Sequence, residues 1–285
     1  MKTTVIGLGL IGGSIALDLR KAGLATELIG VDLNADHGHK AVELGIVDKT
    51  LPEDKALALA DLVILAIPVN AACAFLSSVL DAVKKGAVVI DTSSTKRAIC
   101  KSVAHHPNRK QLIAAHPIAG TENSGPTAAF EGLFRGKTNI ICEQDESSPE
   151  ALAIAKKVFD TLGMNTIFMN ADEHDRHVAY VSHLSHVSSF LLGQTVLDIE
   201  KDEKNIFDLA GSGFASTVRL AKSSPDMWAP IFEQNSEYLS QALLEYIMHL
   251  QKFHYHLMKH DTKELHRIMT KANEIRRVLD SDKKK

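Results

Sequence analysis

The spacing of apolar residues along the 285-residue chain changes once, near Asn170. Before that point short apolar runs of strand length alternate with stretches of helical period; after it every apolar stripe is helical. Residues 3–6 read as a buried strand, and Ile15, Ala16, Leu19 and Ala22 set a helical period that closes at Gly23. Residues 28–31 form the next strand, and a helix near 36–44 leads to Gly45. Residues 61–67 are a buried strand ending at Pro68, followed by a helix over 71–84 that Gly86 closes. Strands follow at 87–90 and 112–115, the latter stopped by His116 and Pro117. Residues 139–142 add a strand. Ser148, Pro149 and Glu150 start a helix that ends near Gly163, and 166–169 is the last strand. Strands alternating with helices in this way predict a mostly parallel sheet.

From Asp172 the pattern is helical throughout. Asp172 and Glu173 sit in a first turn, where they suit the helix dipole. Val178, Val181, Leu184, Val187, Leu191 and Gln194 trace one helix to about Glu200. Gly211 and Gly213 interrupt, a helix carries Thr217 to Lys222, and Ser224, Pro225 and Asp226 start another. Two long amphipathic stripes end the chain, one from Leu239 to Leu257 and one from Leu265 to Leu279. The chain therefore divides into residues 1–170 and 171–285, with no linker between. Stripes this long in so small a helical domain predict burial against a second copy, a homodimer.

Composition narrows the class. A hydrophobic content of 45% and a charged content of 24% are ordinary for a globular protein, and a net charge of −3 argues against bulk nucleic-acid or membrane-surface binding. Cys73, Cys100 and Cys142 are scattered and lack metal spacing, so they read as buried or free thiols of a reducing cytoplasm. The first 16 residues mimic a secretory signal only superficially, since their glycines serve no purpose there. The apolar run at 62–69 contains a proline and is too short to span a bilayer. A soluble cytoplasmic protein is expected, with a frayed basic tail at 283–285.

The first strand runs straight into Gly7, Leu8, Gly9, Leu10, Ile11 and Gly12. A helix, a strand and a terminal acid, Asp32, follow within about 30 residues, the full context of the dinucleotide fingerprint. Gly7 allows the tight turn, Gly9 lets backbone approach the pyrophosphate, and Gly12 permits close helix–strand packing. Asp32 can accept from the ribose hydroxyls and would repel a 2′-phosphate. With no Arg or Lys between Asp32 and Lys40, NAD is the expected cofactor. Residues 1–170 are thus read as an α/β Rossmann-type dinucleotide-binding domain, followed by an all-α dimerisation domain.

Strand ends carrying Pro68, Ser94 and His116 fall at the same carboxyl edge of such a sheet, beside the cofactor. His116 then opens a loop holding Thr121 and Glu122. A nicotinamide enzyme that oxidises an alcohol needs a base for the hydroxyl proton, and histidine suits that role. His116 is the candidate base, with Ser94 able to relay or orient the bond. Pro68 and Ser94 are expected to touch the cofactor as well. His183 and His186 stand at i and i+3 on one helix face. No third ligand accompanies them, so substrate contact is the reading rather than a metal site. Arg219 suits a carboxylate, to which guanidinium offers a bidentate fork. A structural role for His183 and a surface ion pair for Arg219 remain the alternatives.

The glycine loop, Asp91-Thr-Ser-Ser94-Thr-Lys96, His116-Pro-Ile-Ala-Gly-Thr-Glu-Asn-Ser-Gly125, Ser182-His-Leu-Ser-His186 and the segment from Arg219 to Trp228 follow in a fixed order. In that order the chain resembles the prephenate dehydrogenases, including arogenate-using relatives. The resemblance implies NAD-dependent oxidative decarboxylation of prephenate to 4-hydroxyphenylpyruvate, a step toward tyrosine. By it His116 takes the ring hydroxyl proton with help from Ser94, and Arg219 holds the ring carboxylate. His186, His183 and Thr121 line the substrate pocket. Glu122 is an access or charge-network residue and Trp228 a specificity residue near the dimer interface. Two positions depart from the family pattern: Ser185, often Pro, and Ser216, often an acid. The second puts an ionic gate built on Glu122 in question. No chorismate mutase or regulatory domain is expected, so tyrosine feedback is not carried over. Arogenate is the alternative substrate. A β-hydroxyacid dehydrogenase would need a lysine base on the first long helix, which has none before Lys201, and a non-catalytic dinucleotide sensor would not require Ser94, His116 and Arg219 together.

Overall fold

The computed structural model describes residues 1–201, 203 and 205–279; the basic run at 283–285 lies outside them. Two compact units divide the chain, Met1–Ser236 and a second that begins at Glu237.

In the first unit the elements run β1 (Lys2–Ile6), α1 (Leu10–Lys21), β2 (Glu27–Val31), α2 (Ala35–Glu43), β3 (Lys49–Thr50), α3 (Glu53–Leu59), β4 (Leu62–Leu65), α4 (Val69–Ala82), β5 (Val88–Asp91) and α5 (Arg97–Ser102). They continue with β6 (Leu112–Pro117), β7 (Thr138–Cys142), α6 (Pro149–Thr161), β8 (Asn165–Met169), α7 (Ala171–Val178), α8 (Leu184–Glu200), α9 (Ser212–Thr217) and α10 (Pro225–Gln234). One sheet takes the order β3-β2-β1-β4-β5-β6-β7-β8. The first six are parallel in the doubly wound order, which reverses between β1 and β4. Only β7 runs against its neighbour β6, and β8 follows β7.

The central strands β4, β5 and β6 are apolar over most of their length because both faces are covered. Neighbouring residues go to opposite sides: Val5, Ile64, Ile90 and Ile113 pack with Ile15 and Leu19 of α1 and Phe159 of α6. Ile6, Val63, Val89 and Leu112 pack with Leu76 and Val79 of α4 and with Trp228 and Ile231 of α10. The late helix α10 thus closes one face of the sheet, and the first unit reaches past the β-α alternation for this reason.

Three local features differ from the sequence reading. Strand β6 does not stop before Pro117: Ala114 to Pro117 pair with Cys142 to Asn139. Pro117 lacks a donor, but it ends the strand, and the next amide, Ile118, donates to Thr138 O at 2.8 Å. Elements β3, α3 and α5 are too short to show a period. The predicted helix from Asp172 to Glu200 is broken by one wide, π-spaced turn over Ala179–His183. That extra residue rotates the stripe, so Val181 is 77% exposed while His183 is buried at 1%.

The second unit consists of α11 (Ser236–Met258), of which the first residue belongs to the first unit, α12 (Thr262–Ala272) and α13 (Arg276–Leu279). Asp261 caps α12 by accepting from Glu264 N at 3.1 Å. Leu244, Met248, Leu250, Leu257 and Met269 are exposed along these helices. Among the described residues no helix is long and apolar enough to cross a membrane.

Candidate active site

At the β1–α1 turn the main chain makes the site. Gly7 has φ +92°, and a Cβ there would lie 2.3 Å from Ala66 O; one at Gly12 would lie 2.1 Å from Gly7 O. Both positions exclude any larger residue. Gly9 caps α1, and the space where its Cβ would stand is open. The cradle therefore presents bare backbone at a helix N-terminus, which fits a pyrophosphate. Leu8 is fully buried and Leu10 nearly so, so in this loop they offer backbone rather than side chains. Asp32 accepts from Leu8 N at 2.8 Å through one oxygen and from Asn34 N at 2.9 Å through the other. The carboxylate is thereby fixed at the tip of β2. A cavity of about 270 Å³, lined by Gly30, Asp32, Gly38, His39 and Thr50 among others, opens beside it. Bare backbone, a fixed acid and an adjacent cavity fit a dinucleotide whose ribose hydroxyls reach Asp32.

The second half of the site grows from β6. Strand β5 pairs only with Leu112 to Ala114, so Ala115 to Pro117 run beyond its end and carry His116 past the sheet edge. His116 is half-buried, and its Nδ1 lies 2.8 Å from His174 Nε2. His174 Nδ1 in turn meets Asp175 Oδ1 at 2.7 Å. Asp175 also accepts the backbone amides of Lys96 at 2.8 Å and Arg97 at 2.9 Å. Burial pushes His116 well below the ordinary imidazole range, and the nearby His174, Lys96 and His183 act in the same direction. A neutral His116 is a base.

Beneath this chain lies a buried ion pair. Lys96 and Asp91 are both fully buried, and Lys96 Nζ donates to Asp91 and, at 2.6 Å, to Ala115 O. Ser93 Oγ donates to the other Asp91 oxygen at 2.6 Å. The pair ties the end of β5 to the residue preceding His116. Ser94 stands half-buried in the turn between Asp91 and Lys96. Among the described residues no hydrogen bond joins it to His116, whose Nδ1 is engaged by His174.

The wide turn at Ala179–His183 sets the other wall. Asn235 Nδ2 faces Asp175 O at 2.7 Å and His183 Nδ1 at 3.1 Å. Facing a carbonyl, it must donate, so His183 accepts on Nδ1 and carries its proton on Nε2. Burial holds His183 down at about 4. His186 Nδ1 donates to Ser182 O at 3.0 Å, and its ring stacks on Trp228 with centroids 3.5 Å apart. Its pKa is lowered by burial first, with Arg219 adding to the effect and the bond to Ser182 opposing it. Trp228 is buried in the packing of α10 on the sheet, and among the described residues its indole nitrogen has no partner. Arg219 is exposed and approaches Glu122 at 3.5 Å. Pro68, Thr121 and Glu122 line one cavity of about 190 Å³ together with Ser224, Asp226 and Met227.

The structure thus brings together most residues singled out in the sequence. Pro68, Thr121 and Glu122 share a cavity, Arg219 meets Glu122, and His183, His186 and Trp228 form one aromatic cluster. The sequence reading missed His174, Asp175, Asn235 and the buried Lys96–Asp91 pair. One signal was present: Ala171, His174, Asp175 and Val178 form the buried face of α7, and two titratable residues on an otherwise apolar face need partners. The pairing of Lys96 with Asp91 had no pattern to announce it.

Comparison with known proteins places the chain further. Residues 15–168 match the family profile described as prephenate dehydrogenase, nucleotide-binding domain, and residues 170–271 the one described as prephenate dehydrogenase, dimerization domain. The prephenate dehydrogenase of Bacillus subtilis is 29% identical over 97% of this chain and 76% of its own length. A crystal structure of the Aquifex aeolicus prephenate dehydrogenase, in complex with hydroxyphenyl propionate and NAD+, superposes with a TM-score of 0.89 at 28% identity, over 98% of each chain. The Synechocystis arogenate dehydrogenase is 31% identical with a TM-score of 0.78, over 98% of this chain and all of that one.

Proposed function

Because the chain belongs to the prephenate dehydrogenase family, we propose that it catalyses the oxidative decarboxylation of prephenate to 4-hydroxyphenylpyruvate with NAD. The observation that carries this reading is the neutral His116 at the sheet edge, beyond the end of β5 and on the same edge as the glycine cradle. Gly7, Gly9, Gly12 and Asp32 would hold the dinucleotide, which when bound accepts the hydride. His116 takes the ring hydroxyl proton on Nε2, the nitrogen left free by the bond to His174. Ser94, in the turn after β5, supplies a second hydroxyl to orient that of the substrate. Arg219 pairs only loosely with Glu122, so its guanidinium remains available for the ring carboxylate, whose loss as carbon dioxide makes the ring aromatic. Thr121, His183 and His186 line the pocket, with Trp228 fixing the plane of His186. Glu122 tunes the charge around Arg219. Ser216 bonds back to Gly213 O at 2.8 Å and is not the acid that family members often carry at this position.

The enzyme works as a cytoplasmic homodimer. The match to a dimerization domain and the exposed apolar residues of α11 and α12 support that assembly, with residues 171–285 supplying the helical substrate and dimerisation domain. Prephenate, arogenate and 3-hydroxyisobutyrate offered separately with NAD test the reading. NAD reduction with prephenate is expected, arogenate turnover alone would shift the assignment to that substrate, and turnover of neither cyclohexadiene would sink it.

A further inference from the structure

We infer that His174 and Asp175 are positioning residues that set the tautomer of His116, leaving its lone pair on Nε2 where the substrate hydroxyl arrives. The inference rests on the reading of His116 as the base. Three N–H groups converge on the Asp175 carboxylate: the amides of Lys96 and Arg97 and Nδ1 of His174. The carboxylate oxygens act as acceptors, so His174 donates from Nδ1. Burial lowers the pKa of His174, so the ring stays neutral and its Nε2 holds a lone pair. At 2.8 Å from that lone pair, His116 Nδ1 must be the donor. The direction of every bond follows from the first one.

The arrangement does more than hold a ring. When His116 gains a proton on Nε2, its Nδ1–H bond to His174 strengthens, and the charge of Asp175 lies one imidazole away. No proton needs to travel along the chain. Other groups act on His116 as well: Lys96 from the turn after β5, and His183 from the wide turn. His174, Lys96 and His183 all oppose protonation of His116; the charge of Asp175, reached through the Nδ1–H bond to His174, acts against them. Asn235 completes the device by fixing the Asp175 carbonyl at 2.7 Å. The base on the strand is thus oriented by a helix that follows it by 58 residues.

Nitrogen NMR of the histidine-labelled, unliganded full chain reads the tautomer directly, without any variant. A protonated Nδ1 and bare Nε2 on His116 are expected, and the reverse tautomer would overturn the inference. The pH profile of kcat/KM for prephenate adds a second readout. His174→Phe should move the acidic limb down by about one pH unit and lower kcat about 10- to 100-fold. His174→Gln, whose amide oxygen can still accept from Nδ1, should recover part of both. NADH affinity, measured alongside, reports whether each variant is folded, and where one is not, the tautomer decides. Lost kcat with an unmoved acidic limb would make His174 merely structural and overturn the inference. If the unaltered chain does not oxidise prephenate, the enzyme reading fails while the tautomer remains measurable.

Discussion

Around Gly7, Gly9 and Asp32 the protein offers a cofactor bare main chain, a helix N-terminus and a single fixed carboxylate. Around His116 it offers side chains drawn from β6, α7, the wide turn and α10, oriented by one another and by backbone groups. The first arrangement is local: one turn and the two strands beside it. The second is assembled across the first unit, with Asp175 bonded to amides 79 and 78 residues away and Asn235 bonded to Asp175 across 60. A pyrophosphate needs only N–H groups and room, which glycine spacing supplies. A base needs a defined protonation state, and that requires desolvation and partners that only tertiary packing provides. The contrast predicts that damage on the histidine side removes chemistry and leaves cofactor binding intact.

The largest effect expected is on turnover. His116→Asn should lower kcat by about 10²–10⁴ with NADH affinity unchanged; fluorescence titration and steady-state rates check both, and loss of NADH binding would erase the distinction between the two halves. The ion pair under the site comes next. Lys96→Met strands a buried Asp91 carboxylate and should cost about 3–5 kcal/mol of stability, read from the urea midpoint. A cost below about 1 kcal/mol would mean that the pair does not hold the strand ends together.

Acid should separate the halves too. Burial holds His183 at about 4 against an ordinary 6.5. As pH falls through that interval the unfolded chain binds a proton that the folded chain refuses. The stability His183 contributes above pH 6.5 is therefore lost progressively down to about 4, by roughly 3 kcal/mol. His174 and His116 shift in the same direction and add to the loss. Denaturation curves across that interval check this, and a flat stability would contradict it. The smallest effect sharpens the comparison from the other side. Asp32→Ala removes the carboxylate fixed at the tip of β2, and the ratio of kcat/KM for NAD over NADP should fall about tenfold. An unchanged ratio would leave that half entirely to the main chain.

The same contrast governs what was legible in the sequence. Glycine spacing, Asp32 and the central apolar strands were readable because their causes are local: a turn needs Gly7, and a strand covered on both faces is apolar over most of its length. His116, Ser94 and Arg219 were readable by residue type and by family resemblance. The partners of His116 were not, because α7 looks like any helix with acids in its first turn until its buried face is known. The wide turn at Ala179–His183 was hidden as well, since one inserted residue leaves composition untouched and changes only phase. It moved Val181 outward and His183 inward, against the predicted stripe.

On this mechanism every hydride removed from prephenate is matched by the loss of one ring carboxylate. Carbon dioxide release and NAD reduction measured together in one sample test it most directly. Equal amounts of both, rising only when prephenate and NAD are present together, are predicted. Prephenate that yields neither, or carbon dioxide without NADH, would contradict it.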